Sequence, residues 1–271
     1  MMQRLKITVA FEGTAYAGWQ IQSGGPRPVP SIQETLEAAF ARINGRPVRV
    51  HGAGRTDAGV HAEGQVCHAD VEEAKKSPDW SKALNACLPP DIRVLSCIPA
   101  EAAFHARKSA LAKRYAYSIW MSRDKALPRI RNFVAQTPPP DLDLLASALP
   151  CITGRHDFAS FQNSGTKTRD TVRELYSVCC RKGEIAGLRC PEHWPVLSIV
   201  FEGNGFLKQM ARNLSGMLLH VGLGKIAPED IPGIMAARDR RALSSPCAPA
   251  CGLSLLEVLY RRDQTDRTVL K

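Results

Sequence analysis

Residues 51–65 read HGAGRTDAGVHAEGQ, and within them Arg55 and Asp57 stand two positions apart, bracketed by Gly52, Gly54 and Gly59. Glycine lets a backbone turn sharply and lets another molecule approach it closely. A carboxylate beside a guanidinium on such a loop has the makings of a reactive site. The same residues also fit a plainer account, a turn aspartate held by local hydrogen bonds next to a solvated arginine. Two familiar glycine loops are excluded. A dinucleotide fingerprint needs its third glycine where Asp57 sits, and a P-loop needs lysine and a hydroxyl residue where Val60 and His61 follow Gly59. No nucleophile-elbow G-x-S-x-G, no H-E-x-x-H and no RNP1 sequence is present.

Metal-ligand spacings are thin. Cys190 and His193 form a C-x-x-H pair near Cys179 and Cys180, and Cys247 and Cys251 are spaced C-x-x-x-C. Neither repeats in the compact double arrangement that structural zinc favours, so no metal site is expected. Nine cysteines is an odd count, and without a secretory context reduced thiols are the default.

The elements that must position the loop follow from periodicity. RLKITVAFEG alternates with Leu5, Ile7, Val9 and Phe11 on one side, as a half-buried strand does. Ser31 and Glu34 form a capping box that opens a helix with Ile32, Leu36, Phe40 and Ile43 on one face, ended by Asn44-Gly45. PVRV, residues 47–50, then begins a strand, so the glycine loop follows a strand, and GQVCHADV resumes extended structure. A short helix near 81–88 and a strand at 92–98 complete this half.

ALAKRYAYSIW opens the second half as a long strand with Tyr115 and Tyr117 on the same face. TPPP is a rigid break, residues 141–149 are helical, and TVRELYSVCC and VLSIVFEG are strands. GFLKQMARNLSGMLLHVG is the clearest helix, stopped by Gly222. Phe206, Met210, Leu214, Met217 and Val221 form its stripe, with Lys208 and Arg212 on the opposite side. Residues 181–195 are expected to be a local loop elaboration, and the polar tail RRDQTDRTVLK to fray. This mixture predicts an α+β protein with a boundary near residue 105, dividing the chain into 1–105 and 106–271.

The 271 residues carry 36 Lys+Arg against 26 Asp+Glu, a net +10, with a pI near 9.3. That excess suits a polyanionic partner, and nucleic acid is the commonest. No apolar run is long enough for a transmembrane helix, and MMQRLKITVA lacks a signal peptide's apolar core, so a cytoplasmic protein without a membrane partner is expected.

GRTDAGVHAEGQV resembles the signature of the TruA-type tRNA pseudouridine synthases. FEGTAYAGWQ, LNACLPPDI, FHARKSALAKRYAY, GRHDFASF, GFLKQMARNLSG and APACGLSL match further segments in order, over residues 4 to about 260. The family's opening segment commonly starts Tyr-Asp-Gly, and here Phe11 and Glu12 replace the first two. The resemblance implies the pseudouridine synthase fold, with two RRM-like (ferredoxin-like) mixed α/β halves whose antiparallel sheets form a basic cleft. It implies isomerisation of uridine to pseudouridine at positions 38, 39 and 40 of the tRNA anticodon stem-loop, by a homodimer with no metal or organic cofactor. It makes Asp57 the catalytic aspartate and Arg55 an RNA contact that helps hold the target nucleotide out. It makes Tyr115 the stacking partner of the base and Arg212 the ion-pair partner of Asp57. Arg107, Lys113, Arg114, Lys167, Arg169, Arg173 and Lys208 become candidate phosphate contacts, while His61, Glu63 and His105 are not expected to act as acid or base.

Such a reaction breaks the C1′–N1 bond, turns the uracil and joins C5 to C1′, without redox change or group transfer. Glycosidases need two carboxylates because water takes part. Here water must stay out and one ionised carboxylate can suffice. Attack at C6, attack at C1′ and abstraction of a sugar proton all remain open.

Overall fold

The alternation of Leu5, Ile7, Val9 and Phe11 becomes strand β1, Met2–Phe11, whose four apolar side chains are buried. It is the anchor of a computed structural model that describes residues 2–22, 29–72, 79–163, 165, 168 and 170–261. Lys167, Arg169 and all of the tail beyond Arg261 lie outside the described residues.

Helix α1, Ile32–Asn44, starts where Ser31 accepts a hydrogen bond from the Glu34 amide. It stops where Gly45 adopts φ 71°, a left-handed conformation that glycine reaches without strain. Ile32, Leu36 and Phe40 are buried as the periodicity requires. The strand expected from residue 47 begins only at Val50, giving β2, Val50–Gly52. Then follow β3, His61–Glu72; helix α2, Trp80–Cys87; and β4, Ile92–Ala100. β1 lies between β3 and β4, antiparallel to both.

The second half opens with β5, Ala112–Met121, followed by β6, Ala135–Thr137, helix α3, Leu142–Ile152, and β7, Gly154–Asp157. β8 is Val172–Lys182, and residues 181–195 do more than loop. Beyond the end of β8 they form a hairpin of β9, Glu184–Ile185, and β10, Leu188–Arg189. Ile185 and Ala186 pack with Trp120, Val134 and Val196 in a second small core, with Trp194 against it. The segment folds because it has apolar side chains to bury over β5.

β11, Val196–Gly203, pairs antiparallel with both β5 and β8. Helix α4, Met210–Gly222, begins five residues later than the expected start at Gly205. Gln209 sits at φ 63°, outside helical geometry, so Phe206 and Lys208 precede the helix. Lys208 therefore shares no helix face with Arg212. Nor is α4 two-faced: eleven of its thirteen residues are buried, leaving Arg212 and His220 as the exceptions. Gly222 is its last residue, where a Cβ would lie 2.8 Å from Pro140 Cβ. Short helix α5, Ile231–Ala236, precedes β12, Leu253–Leu259.

β12 lies between β3 and β5. Its start runs parallel to β3, pairing Ser254 with His61, and its length runs antiparallel to β5. Among the described residues this gives one ten-stranded, mostly antiparallel sheet with the path β4-β1-β3-β12-β5-β11-β8-β7. The loop between β2 and β3 and the strand β5 are thereby held on either side of β12.

Candidate active site

The glycine loop leaves β2 at Gly52 and enters β3 at His61, and its turns are fixed by contacts from both flanks. Ala53 N–H donates to Val66 O at 2.7 Å, and Gln65 Nε2 donates to Gly54 O at 3.1 Å. The Trp19 amide donates to Thr56 O at 3.1 Å. Val60 N–H donates to Asp57 O at 3.2 Å, closing a turn in which Gly59 has φ +78°, as the third position of a type II turn requires. Gly18 (φ +91°) packs so closely that a Cβ there would fall 2.5 Å from Thr56 O.

Asp57 thus occupies the first position of a turn, a place where aspartate often bonds its own backbone. Its carboxylate does something else. Among the described residues it bonds no backbone group of its own turn, and its Oδ2 lies 3.1 Å from Arg212 Nη1. Asp57 is 24% exposed and Arg212 15%, so the pair is half-desolvated and worth more than a surface pair. Arg212 stands in the first turn of α4, where its Nε donates to Ala248 O at 2.8 Å. The segment bearing Ala248 presses on the helix at Gly216, where a Cβ would meet Pro246 O at 2.2 Å.

Tyr115 lies on β5 opposite Leu255 of β12 and Phe201 of β11. It is 7% exposed, and its ring meets Phe206 edge-on, centroids 4.8 Å apart. Burial, and then the Asp57 charge, push its phenol well above the usual range, so it stays a neutral aromatic. Tyr117, two residues on, is fully buried and donates its hydroxyl to Pro249 O. Arg55 is exposed at the loop's tip and has no hydrogen bond or ion pair among the described residues. The structure therefore brings Asp57, Arg212 and Tyr115 to one corner, with Arg55 at its rim.

His61 accepts from Gly13 N–H at Nδ1 (3.1 Å), which leaves Nε2–H to donate to Asn132 O at 2.7 Å. Both nitrogens are committed, and burial holds its pKa below the ordinary value. His105 takes the Arg107 and Lys108 amides at Nδ1. Of the candidate phosphate contacts, Arg114 is engaged by Glu202 and Glu257, whereas Arg107 and Lys208 are exposed. One neighbour escaped the sequence reading. Phe206, assigned by periodicity to the helix stripe, is the aromatic partner of Tyr115. Lys113, one of the candidate phosphate contacts, places Nζ 3.0 Å from where a Gly54 Cβ would be.

The profile of the family described as tRNA pseudouridine synthase matches residues 7–107 and 150–261. Asp57, Arg55 and Arg212 fall inside these stretches, and Tyr115 falls between them. The chain is 50% identical to tRNA pseudouridine synthase A of Oleidesulfovibrio alaskensis, covering 96% of this chain and 97% of that one. It is 46% identical to the protein of the same name from Lawsonia intracellularis, over 96% of this chain and all of the relative. The counterpart from Geobacillus kaustophilus is 41% identical, over 96% and 95%.

Proposed function

Because this chain belongs to the tRNA pseudouridine synthase family, we propose that Asp57 is the carboxylate that drives its isomerisation of uridine to pseudouridine. The observation that carries this reading is the ion pair between Asp57 and Arg212, which ties the glycine loop to α4. The Arg212 guanidinium, 3.1 Å away, supplies a countercharge to the Asp57 carboxylate at the place where a base and ribose would displace water. The reaction breaks N1–C1′ and forms C5–C1′. The C5 proton leaves, N1 gains one, and atoms and electrons balance with no co-reactant. Whether Asp57 adds to C6, adds to C1′ or removes a sugar proton, it needs the same ionised state.

Tyr115 offers a flat neutral ring beside Asp57, the surface an everted base needs. Arg55, exposed at the loop tip, reaches outward to the RNA and helps keep the nucleotide extruded. The substrate in this reading is the tRNA anticodon stem-loop at positions 38, 39 and 40, and the enzyme is a cytoplasmic homodimer. Two RRM-like halves, residues 1–105 and 106–271, frame a basic cleft between them. The net charge of +10 supports a polyanionic partner.

The test is conversion of uridine to pseudouridine by the purified protein in an anticodon stem-loop transcript without added metal. Binding without conversion would instead favour a noncatalytic RNA-binding protein on the same fold.

A further inference from the structure

Lys113 and Tyr115 are two residues apart on β5 and so point to the same face. The Lys113 ammonium reaches the glycine loop, with Nζ 3.0 Å and Cε 3.6 Å from the position a Gly54 Cβ would take. Gly54 stands immediately before Arg55 and three residues before Asp57. Lys113 is half-buried, yet among the described residues it has no hydrogen bond or ion pair. Its charged neighbours are cations. Arg107 approaches from the segment before β5, and Arg173 from β8. Arg173 in turn lies 3.5 Å from the Cβ position of Gly205, next to Phe206, the ring that packs on Tyr115. Among the described residues no carboxylate pairs with Lys113 itself. Asp170 pairs with Arg173 at 3.6 Å from an exposed position, and Glu202 and Glu257 hold Arg114.

A half-buried ammonium among guanidinium groups is unfavourable unless something anionic arrives. Burial, then Arg107 and Arg173, bring the Lys113 pKa down to about 8. A uracil carbonyl is neutral and would leave the charges unbalanced, whereas an RNA phosphodiester supplies a full negative charge with several acceptors. Gly54 keeps the space over Nζ clear of a side chain.

The geometry points to Lys113, flanked by Arg107 and Arg173, as a built subsite for one backbone phosphate next to the reacting nucleotide. This rests on the proposed function, and it turns a diffuse basic surface into one specific contact. The phosphate held there fixes the ribose relative to Asp57 while Tyr115 receives the base.

The test replaces single phosphates around the target uridine of a synthetic anticodon stem-loop by neutral methylphosphonates, and measures binding by wild-type protein, Lys113→Met and Lys113→Arg. One linkage should weaken wild-type binding about tenfold, as expected for loss of a charged hydrogen bond. Lys113→Met should bind the natural RNA about tenfold more weakly, be indifferent to that linkage, and lower the slope of log affinity against log salt by about 1. Lys113→Arg should keep the linkage sensitivity, and melting of Lys113→Met should be unchanged or raised. If Lys113→Met and wild type lose affinity equally at every linkage, or if wild type is insensitive throughout, the subsite is overturned. Pseudouridine formation by wild type on the unmodified RNA is scored separately. Its absence would reject the proposed function, while the linkage coupling would still decide the subsite.

Discussion

At the scale of single residues, Asp57 is both a turn residue and a partner of Arg212, and one substitution separates the two roles. Asparagine favours the same turn position as aspartate, so Asp57→Asn should stay folded and lose only the partly desolvated pair with Arg212, about 1–2 kcal/mol in melting. The amide cannot act as an anionic nucleophile or base, and it cannot balance Arg212. Tritium release from C5-labelled uridine in tRNA should therefore vanish while filter binding survives, since phosphate contacts supply most of the affinity. Release near the wild-type rate would reduce Asp57 to a turn residue. Tyr115→Ala probes the other side of the corner. It removes a face for the base, a loss of about 1–3 kcal/mol in binding or transition-state stabilisation. It also leaves a cavity beside Phe206, which costs stability in its own right. Comparing Tyr115→Phe with Tyr115→Ala in melting and single-turnover rates divides these effects, because phenylalanine keeps both the stack and the packing. If phenylalanine loses turnover as fully as alanine, the hydroxyl matters and simple stacking is wrong.

At the scale of elements, the loop is positioned by what presses on it, and Gly13 is the tightest point. A Cβ there would lie 2.0 Å from Val60 O, and backbone has no rotamer with which to yield. Gly13 also donates its amide to His61, at the start of β3. Gly13→Ala should push residues 57–60 out of place, costing about 1–3 kcal/mol or more and lowering turnover together with the melting temperature. Wild-type melting by this variant would mean the loop is not pinned there. Much of this scaffold was legible in the sequence where a pattern is local. The alternation of β1, the Ser31 cap and Gly45 stop of α1, and the GRTDAG loop between two extended segments are examples. The start of α4 was not, because apolar spacing continues through Phe206 while Gln209 leaves helical geometry. β12 was hidden for another reason. Its partners, β3 and β5, are distant in sequence and bury it on both edges, so only topology defines it. Asp57 and Arg212 are 155 residues apart, and no spacing within the chain announces their meeting; only the family resemblance suggested it.

At the scale of the whole molecule, residues 101–107 cross from β4 towards β5, and strands from both ends of the chain hold that crossing. Arg4 of β1 donates to the carbonyls of Ala102 and Phe104 and pairs with Asp70 at 2.7 Å. Tyr260, just past β12, donates its hydroxyl to Ala106 O at 2.6 Å. His68 of β3 accepts the Ala106 amide at Nδ1, with His51 stacked at 5.0 Å and His105 at 4.7 Å. That bond requires an unprotonated Nδ1. Burial, then Arg4, His105 and His51, lower the His68 pKa to about 4, against 6.5 for the free side chain, although Asp70 pulls the other way. The folded state thus binds fewer protons than the unfolded chain between those values. The resulting stability is fully present above pH 6.5 and is lost as the pH falls towards 4, about 3 kcal/mol in all and about 1 kcal/mol per unit near pH 5.5. Asp70, held low chiefly by its hydrogen bonds to Arg4, gives up its own share at lower pH, below its free value of 3.8. Urea unfolding at pH 7.5, 6.5, 5.5 and 5.0 should show the decline, and His68→Asn is the comparison. Its amide oxygen can still accept from Ala106, but it cannot take up a proton, so its stability should fall less steeply by about 1 kcal/mol per unit in the same window. His61 and His105 titrate in the same direction and remain in the variant, so a residual slope is expected. Equal slopes for the two proteins would mean that protonation of His68 does not loosen the crossing, and that acid acts on the molecule elsewhere.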